Sequence, residues 1–309
     1  MTFRDFWQPL GQLYGEDEAR AIARLVMERR FGLSMTDIAA GAVERIDVED
    51  ELEMLRSRLL TGEPVQYVLG EAVFCGRTFH VEPGVLIPRP ETDQLCREAV
   101  SSLKLRFHRL EDAPSLKLRF HRNTVCSILD IGTGSGCIAC TLALEMQRLE
   151  ALPTTGMQRS EALPTTEVMA WDLSDCAIAV ARGNAAALGA KVKVEKQDAL
   201  NPPDDVCRWD IIVSNPPYVC EHEKTAMHAN VLDYEPWEAL FVPDDDPLLF
   251  YRAIGRYAVR ALKPGGVLLL EINPIYAIEL QELLSDLGFA EVEIQEDDSG
   301  RKRFAVASL

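Results

Sequence analysis

One stretch of this 309-residue chain has the residue types needed to hold a flat nitrogen group: Asp210-Ile-Ile-Val-Ser-Asn215-Pro-Pro-Tyr218. An apolar run delivers an amide, two prolines and an aromatic ring to what reads as the end of a strand. The side-chain carbonyl of Asn215 and the backbone carbonyl of Pro216 can each accept one N–H from an amide or an exocyclic amino group. Such a nitrogen is a poor nucleophile, because its lone pair is delocalised. Held by two acceptors it can be aimed at an electrophile, and positioning of that kind supplies much of a rate. Pro216 and Pro217 stiffen the segment, Pro216 also restricts Asn215, and Tyr218 can stack on the flat group. Asn-Pro alone is an ordinary turn starter. The apolar strand before it is what argues for more.

A second stretch, Ile128-Leu-Asp130-Ile-Gly132-Thr133-Gly134-Ser135-Gly136-Cys-Ile-Ala, runs from an apolar strand through three glycines into a helix. Glycine serves where backbone must approach a ligand or take a positive φ. Dinucleotide sites space their glycines G-x-G-x-x-G, whereas here the pattern is G-x-G-x-G with Asp130 two residues ahead. A pyrophosphate site does not call for that acid, but a zwitterionic amino-acid ligand could use it. Asp172 closes the next strand-like run, Val168-Met-Ala-Trp, where a carboxylate can accept both hydroxyls of a ribose. Asp198 follows a third, Val192–Glu195.

Strand and helix signals alternate around these motifs. Strand-like stretches are 125–131, 168–171, 192–195, 210–214, 266–272, 292–295 and 303–307, with helices expected over 137–148, 174–188, 247–262 and 276–287. Alternation of this kind predicts a mostly parallel sheet covered on both faces, with its site at the carboxyl ends of the strands. The first 60 or so residues differ. Ala19, Ile22, Ala23, Val26 and Met27 form one helical stripe ending at Gly32, and Leu52, Leu55, Leu59 and Leu60 form another. Short β-type runs around Gly76 predict a hairpin between the two parts. Ser102–Arg109 recurs word for word as 115–122, and Met146–Thr155 recurs as 157–166 with one change. Both duplications read as insertions into surface connections, expected to be mobile and to carry no chemistry.

Charge and composition bound the function. With 32 Lys and Arg against 49 Asp and Glu, the net charge is −17, which argues against direct binding of nucleic acid or an anionic membrane surface. No apolar run is long enough to span a bilayer. The polar N-terminal stretch and eight scattered cysteines fit the reducing cytoplasm. Cys137 and Cys140 form a C-x-x-C without a second pair, and the histidines are dispersed, so no metal is expected.

The glycine spacing resembles motif I of the Rossmann-like S-adenosylmethionine-dependent methyltransferases. Over nearly its whole length the chain resembles the HemK/PrmC family, protein-(glutamine-N5) methyltransferases. The resemblance rests on Pro64-Val-Gln-Tyr-Val-Leu-Gly, Leu86-Ile-Pro-Arg-Pro-Glu-Thr-Asp, Asp130-Ile-Gly-Thr-Gly-Ser-Gly, Ser214-Asn-Pro-Pro-Tyr, Asp233-Tyr-Glu-Pro-Trp-Glu-Ala-Leu, Leu262-Lys-Pro-Gly-Gly and Gly300-Arg-Lys-Arg-Phe. It implies an α/β fold, a seven-stranded, mostly parallel methyltransferase sheet with a small N-terminal helical domain. The expected division is 1–62 for substrate recognition, 63–90 as a β-hairpin linker and 91–309 for catalysis. The implied reaction moves a methyl from S-adenosylmethionine to the glutamine of the Gly-Gly-Gln motif in class I peptide chain release factors, leaving S-adenosylhomocysteine. An N6-adenine DNA or RNA methyltransferase, which shares Asn-Pro-Pro-Tyr, is the alternative. Carried over by position, the cofactor contacts fall on Asp130, Gly132 to Gly136, Asp172, Asp198 (adenine) and Asn215, and the substrate glutamine on Asn215 to Tyr218. The chain departs from the family's pattern at Ala199, at Phe241-Val-Pro-Asp-Asp-Asp-Pro and at Asn273.

Overall fold

The computed structural model describes residues 1–112, 125–151 and 165–309. Its first part is helical: α1 (Phe3–Trp7), α2 (Gly11–Tyr14), α3 (Glu16–Phe31), α4 (Met35–Ala39), α5 (Glu49–Leu60) and α6 (Val65–Leu69). Helix α3 starts on Glu16, Asp17 and Glu18 and ends on Arg29 and Arg30, the arrangement that complements its dipole. Gly32 caps it at φ 67°. The stripes read from the sequence meet here: Ile22, Val26 and Met27 pack with Leu52, Leu55, Leu59, Phe6 and Leu10 in a core of their own. Helix α6 falls inside the stretch read as a hairpin linker. Val65, Val68 and Leu69 pack on that helical core, and burial of this kind overrides the β preference of valine and tyrosine.

The hairpin follows as β1 (Glu71–Phe74) and β2 (Arg77–His80), then α7 (Thr92–Asp112). The main sheet comprises β3 (Cys126–Ile131), β4 (Thr166–Asp172), β5 (Val192–Lys196), β6 (Trp209–Ser214), β9 (Leu262–Glu271), β10 (Glu291–Glu296) and β11 (Lys302–Ser308), with β7 (Val219–Cys220) and β8 (Phe241–Val242) forming a separate small pair. The seven strands lie in the order β10-β11-β9-β6-β3-β4-β5. All pairs are parallel except those of β11 with β9 and β10. The expected seven-stranded, mostly parallel sheet is therefore present.

Alternate residues of β3 explain the layers. Ile128 faces a core shared with α7, α8 (Cys137–Glu150) and α9 (Asp175–Leu188), whereas Leu129 and Ile131 face the two helices that follow the short α10 (Ala229–Tyr234) in the chain, α11 (Leu249–Ala261) and α12 (Ala277–Leu287). A strand buried on both faces reads as a continuous apolar run, and every residue of β3 and β6 is buried. Strand order reverses between these two, which is where a sheet of this kind opens a crevice.

The duplications sit differently from the expectation. Ser102–Arg109 continues α7, with Leu103 buried, and Met146 is buried within α8. The described parts of these first copies, Ser102–Arg109 and Met146–Ala151, belong to core helices or their caps and are not surface connections, since Leu103 and Met146 are buried. The second copies, 115–122 and most of 157–166, lie outside the described residues.

Candidate active site

A cavity of about 580 Å³ opens at the carboxyl ends of β3, β4, β5 and β6, within the usual range for small-molecule sites. Gly132, Thr133, Gly134, Ser135, Asp172, Asp198, Ala199, Asn215, Pro216 and Pro217 all line it. The glycine loop is anchored from β4, since the N–H groups of Gly132 and Thr133 both donate to the Trp171 carbonyl. Gly132 and Gly134 have φ of 73° and 55°, and a Cβ on either would meet nothing within 4 Å. Their backbone lies open to a ligand. Gly136 does a different job: a Cβ there would stand 3.1 Å from the Ala181 Cβ, so it admits α9 against the loop.

Asp130 stands behind this wall. It is fully buried, and its Oδ2 accepts from Thr133 Oγ1 at 2.6 Å and from the Ala139 N–H at 3.1 Å. Oδ1 has no partner among the described residues, and burial pushes the carboxyl up to about 7 despite the two hydrogen bonds. Asp172 accepts from the Gly134 N–H at 2.8 Å and the Ser174 N–H at 2.9 Å, and burial raises its pKa above the ordinary carboxylate value. It therefore braces the glycine loop as well as facing the cavity. Asp198 is held by the Leu200 N–H and the Asn201 amide.

The Asn215 side chain hydrogen-bonds to none of the described residues. Its loop is nevertheless fixed, because the Tyr218 and Val219 N–H groups donate to the Leu240 carbonyl and Asn273 Nδ2 donates to the Tyr218 carbonyl at 3.1 Å. Tyr218 itself does not line the cavity. Its hydroxyl donates to Glu271 Oε1 at 3.2 Å, and Glu271 Oε2 accepts from Thr92 Oγ1 at 2.6 Å. Burial raises the pKa of both Tyr218 and Glu271.

Other lining residues carried no chemical signal in the sequence. Gly84 to Leu86, Pro88, Arg89 and Thr92 form one wall, Pro236, Glu238 and Ala239 another, and Phe250 and Ile254 a third. Arg89 pairs with Glu235 at 2.6 Å, and the Ile87 N–H donates to the other Glu235 oxygen at 3.1 Å. The helical part reaches the same walls. Tyr67 donates to the Val85 carbonyl at 2.7 Å, and the Tyr234 hydroxyl bonds the Thr61 carbonyl at 2.9 Å. The unusual density of proline and charge in 86–93 and 233–240 was the available signal.

Comparison with known proteins decides the family. Residues 114–234 match the methyltransferase small domain, and residues 10–70 match the PrmC N-terminal domain. The chain is 39% identical to the release factor glutamine methyltransferase of Bacteroides thetaiotaomicron, across 97% of this chain and 96% of that one. It is 36% identical to the protein of the same name from Flavobacterium psychrophilum, across 96% and 94% of the two chains. The chain belongs to the release factor glutamine methyltransferase family. A solved Thermus thermophilus 16S rRNA N2 G1207 methyltransferase is also similar, at 21% identity and a TM-score of 0.44, over 77% of this chain and 49% of that one.

As a member of that family the chain is an S-adenosylmethionine-dependent methyltransferase, and the cavity fits the cofactor. The open backbone at Gly132 and Gly134 gives close approach, and the unpartnered, buried Asp130 Oδ1 offers compensation to a nearby cation. Cys137 and Cys140 are buried thiols whose pKa is raised by burial. No helix among the described residues is long and apolar enough to cross a membrane.

Proposed function

We propose that this chain methylates the side-chain amide nitrogen, N5, of the glutamine in the Gly-Gly-Gln motif of class I peptide chain release factors. The observation that carries the reading is Asn215, an unpartnered amide on the cavity wall beside the glycine loop, on a backbone tied down at both Tyr218 and Val219. Bound S-adenosylmethionine supplies an electrophilic sulfonium methyl, its S–CH3 bond giving way to the new N–CH3 bond. The Asn215 side-chain carbonyl and the Pro216 carbonyl accept the two N–H groups of the substrate amide, which leaves its lone pair free for attack. The nitrogen turns acidic on acquiring the methyl, and one proton passes to solvent.

Gly132 to Ser135 hold the methionine end, with Gly136 seating the loop and Asp130 acting from behind it, Asp172 holds the ribose and Asp198 the adenine. Ala199 is too small to wall in a purine by itself, and Phe250, on the same cavity, supplies the aromatic surface. Pro217 keeps the substrate loop stiff. Tyr218 acts from behind it, with its hydroxyl on Glu271. Residues 1–62 recognise the protein substrate, 63–90 link and 91–309 catalyse; the separate apolar core of the helical part supports a distinct recognition unit, and it takes in Val65, Val68 and Leu69 of the link as well. A net charge of −17 favours a protein substrate over nucleic acid, and free thiols suit a cytoplasmic setting.

The test is transfer of labelled methyl to purified release factor, with the glutamine changed in a control and adenine-containing oligonucleotides in parallel. Label that persists on the glutamine-free factor, or that passes to the oligonucleotides alone, overturns the reading.

A further inference from the structure

Just beyond the substrate loop, strand register gathers three side chains that the methyl transfer does not use. Cys220 on β7 lies opposite Val242 on the parallel β8. His222 lies two residues further along in the 3-10 helix Glu221–Ala226 and Asp244 two further along in the turn after β8, and the His222 N–H donates to Asp244 Oδ1 at 3.0 Å, which ties the two turns together. The result is a cluster of Cys220 Sγ, His222 Nδ1 and an Asp244 carboxylate oxygen, all within 4.8 Å of one another. His222 Nδ1 stands 2.9 Å from Asp244 Oδ1.

We propose that Cys220, His222 and Asp244 form a binding site for one zinc-like divalent transition-metal ion. A soft sulfur, an imidazole nitrogen and a carboxylate make a donor set suited to zinc or cobalt and unsuited to magnesium or calcium. Tetrahedral ligands about 2.0–2.3 Å from zinc stand roughly 3.3–3.7 Å apart, so the cluster must contract by about an ångström. The His222 and Asp244 side chains are 56% and 52% exposed, which leaves them room to rotate. Cys220 is the fixed point. It is fully buried, its N–H donates to Glu223 Oε1 at 2.8 Å, and Asn273 Nδ2 holds the same oxygen at 2.9 Å.

The surroundings suit a metal-bound thiolate. Cys220 Sγ–H donates to the Tyr276 hydroxyl at 3.4 Å; on the metal-bound thiolate the direction reverses, and the hydroxyl becomes the kind of outer donor that orients a ligand. The neighbouring ammonium of Lys224 lies over the Trp237 ring and beside Glu221. A His–Asp pair closing the loop would account for two of the three groups, but not for a buried sulfur converging on them. On binding, the S–H bond of Cys220 breaks, its proton goes to solvent and an S–metal bond forms. Three protein ligands leave the fourth position to water. The ion would cross-link the segment after Asn215–Tyr218 to the 241–247 segment, both of which adjoin cavity walls.

The test titrates metal-free full-length protein with cobalt(II), followed by zinc competition against a chromophoric chelator. Expected are one equivalent bound, a thiolate-to-cobalt charge-transfer band, and release of one proton per ion. Cys220→Ser should abolish the band, and His222→Gln, at an exposed position that leaves the fold alone, should weaken zinc at least tenfold. Absence of the band in the wild type overturns the proposal. So does a band and affinity unchanged in both variants, which would place the metal on other thiols. Methyl transfer is measured separately, so failure here does not bear on the proposed reaction.

Discussion

The guanidinium of Arg89 stands 2.6 Å from the carboxylate of Glu235, joining segments 146 residues apart across one rim of the cavity. The Glu235 side chain is 1% exposed and that of Arg89 31%. Glu235 also receives the Ile87 N–H, so one carboxylate fixes the backbone of the first wall and the side chain that crosses to the second. This contact makes a single pocket from the Pro-Arg-Pro-Glu and Tyr-Glu-Pro blocks.

Arg89→Met should therefore leave a buried carboxylate without its cation. Removing one partner of a buried pair costs about 3–5 kcal/mol; the partial exposure of Arg89 lowers the expectation to about 2 kcal/mol. Urea unfolding reads the loss directly, and the KM for release factor should rise with it. Wild-type values for both would mean that the two blocks hold their places without the pair.

Asp172→Ala removes the acceptor of both the Gly134 and Ser174 N–H groups. Affinity for S-adenosylmethionine should fall by about 1.5–3 kcal/mol, the scale of hydrogen bonds to a charged group. Calorimetry checks this, and an unchanged dissociation constant would remove Asp172 from the cofactor site.

Asn215→Ala should lower turnover by a factor of about one hundred to one thousand, while release-factor affinity changes little, because positioning acts on the transition state. Asn215→Asp keeps a similar shape but adds charge beside the sulfonium and removes the amide donor. Single-turnover rates at saturating cofactor separate the cases. If both variants turn over at the wild-type rate, Asn215 does not orient the acceptor.

Asp130 carries a pH prediction. Its carboxyl is pushed up from 3.8 to about 7 by burial. Between those values the unfolded chain has lost this proton while the folded chain retains it, so this group's contribution to stability falls as pH rises through the window. A cation in the cavity favours the ionised form, and affinity for S-adenosylmethionine should rise with pH through about 7. Asp130→Asn should flatten both dependences in denaturation and calorimetry across that range. Identical slopes in the two proteins would show that Asp130 does not titrate there.

Deleting residues 102–114 joins the second copy to Ser101 and restores the same Ser-Leu-Lys-Leu-Arg-Phe-His-Arg sequence to α7. Thermal midpoint and cofactor affinity should stay close to wild type, since shortening a connection changes closure entropy by only about 0.6 kcal/mol per halving. Loss of folding in the shortened chain would give the duplication a structural role.

The sequence by itself determined the elements and the glycine loop. The apolar runs of β3 and β6 mark strands buried on two faces, and Gly132, Gly134 and Gly136 mark a left-handed path that other residues rarely take. Such signals are local, because a strand's burial pattern and a residue's φ are written within a few positions. The seven strands, the helical stripes ending at Gly32 and Leu60, and the convergence of Asp172, Asp198 and Asn215 on one crevice followed from them. Only the tertiary structure decided the rest. It made Val65–Leu69 a helix by packing it on a core built elsewhere, turned the Tyr218 hydroxyl onto Glu271, and brought Phe250 to the same cavity as Ala199. It also set Arg89 against Glu235 and Cys220 near Asp244. Each of these depends on which distant segments share a wall, and that is fixed by the joint packing of whole elements, a quantity no short window of residues contains.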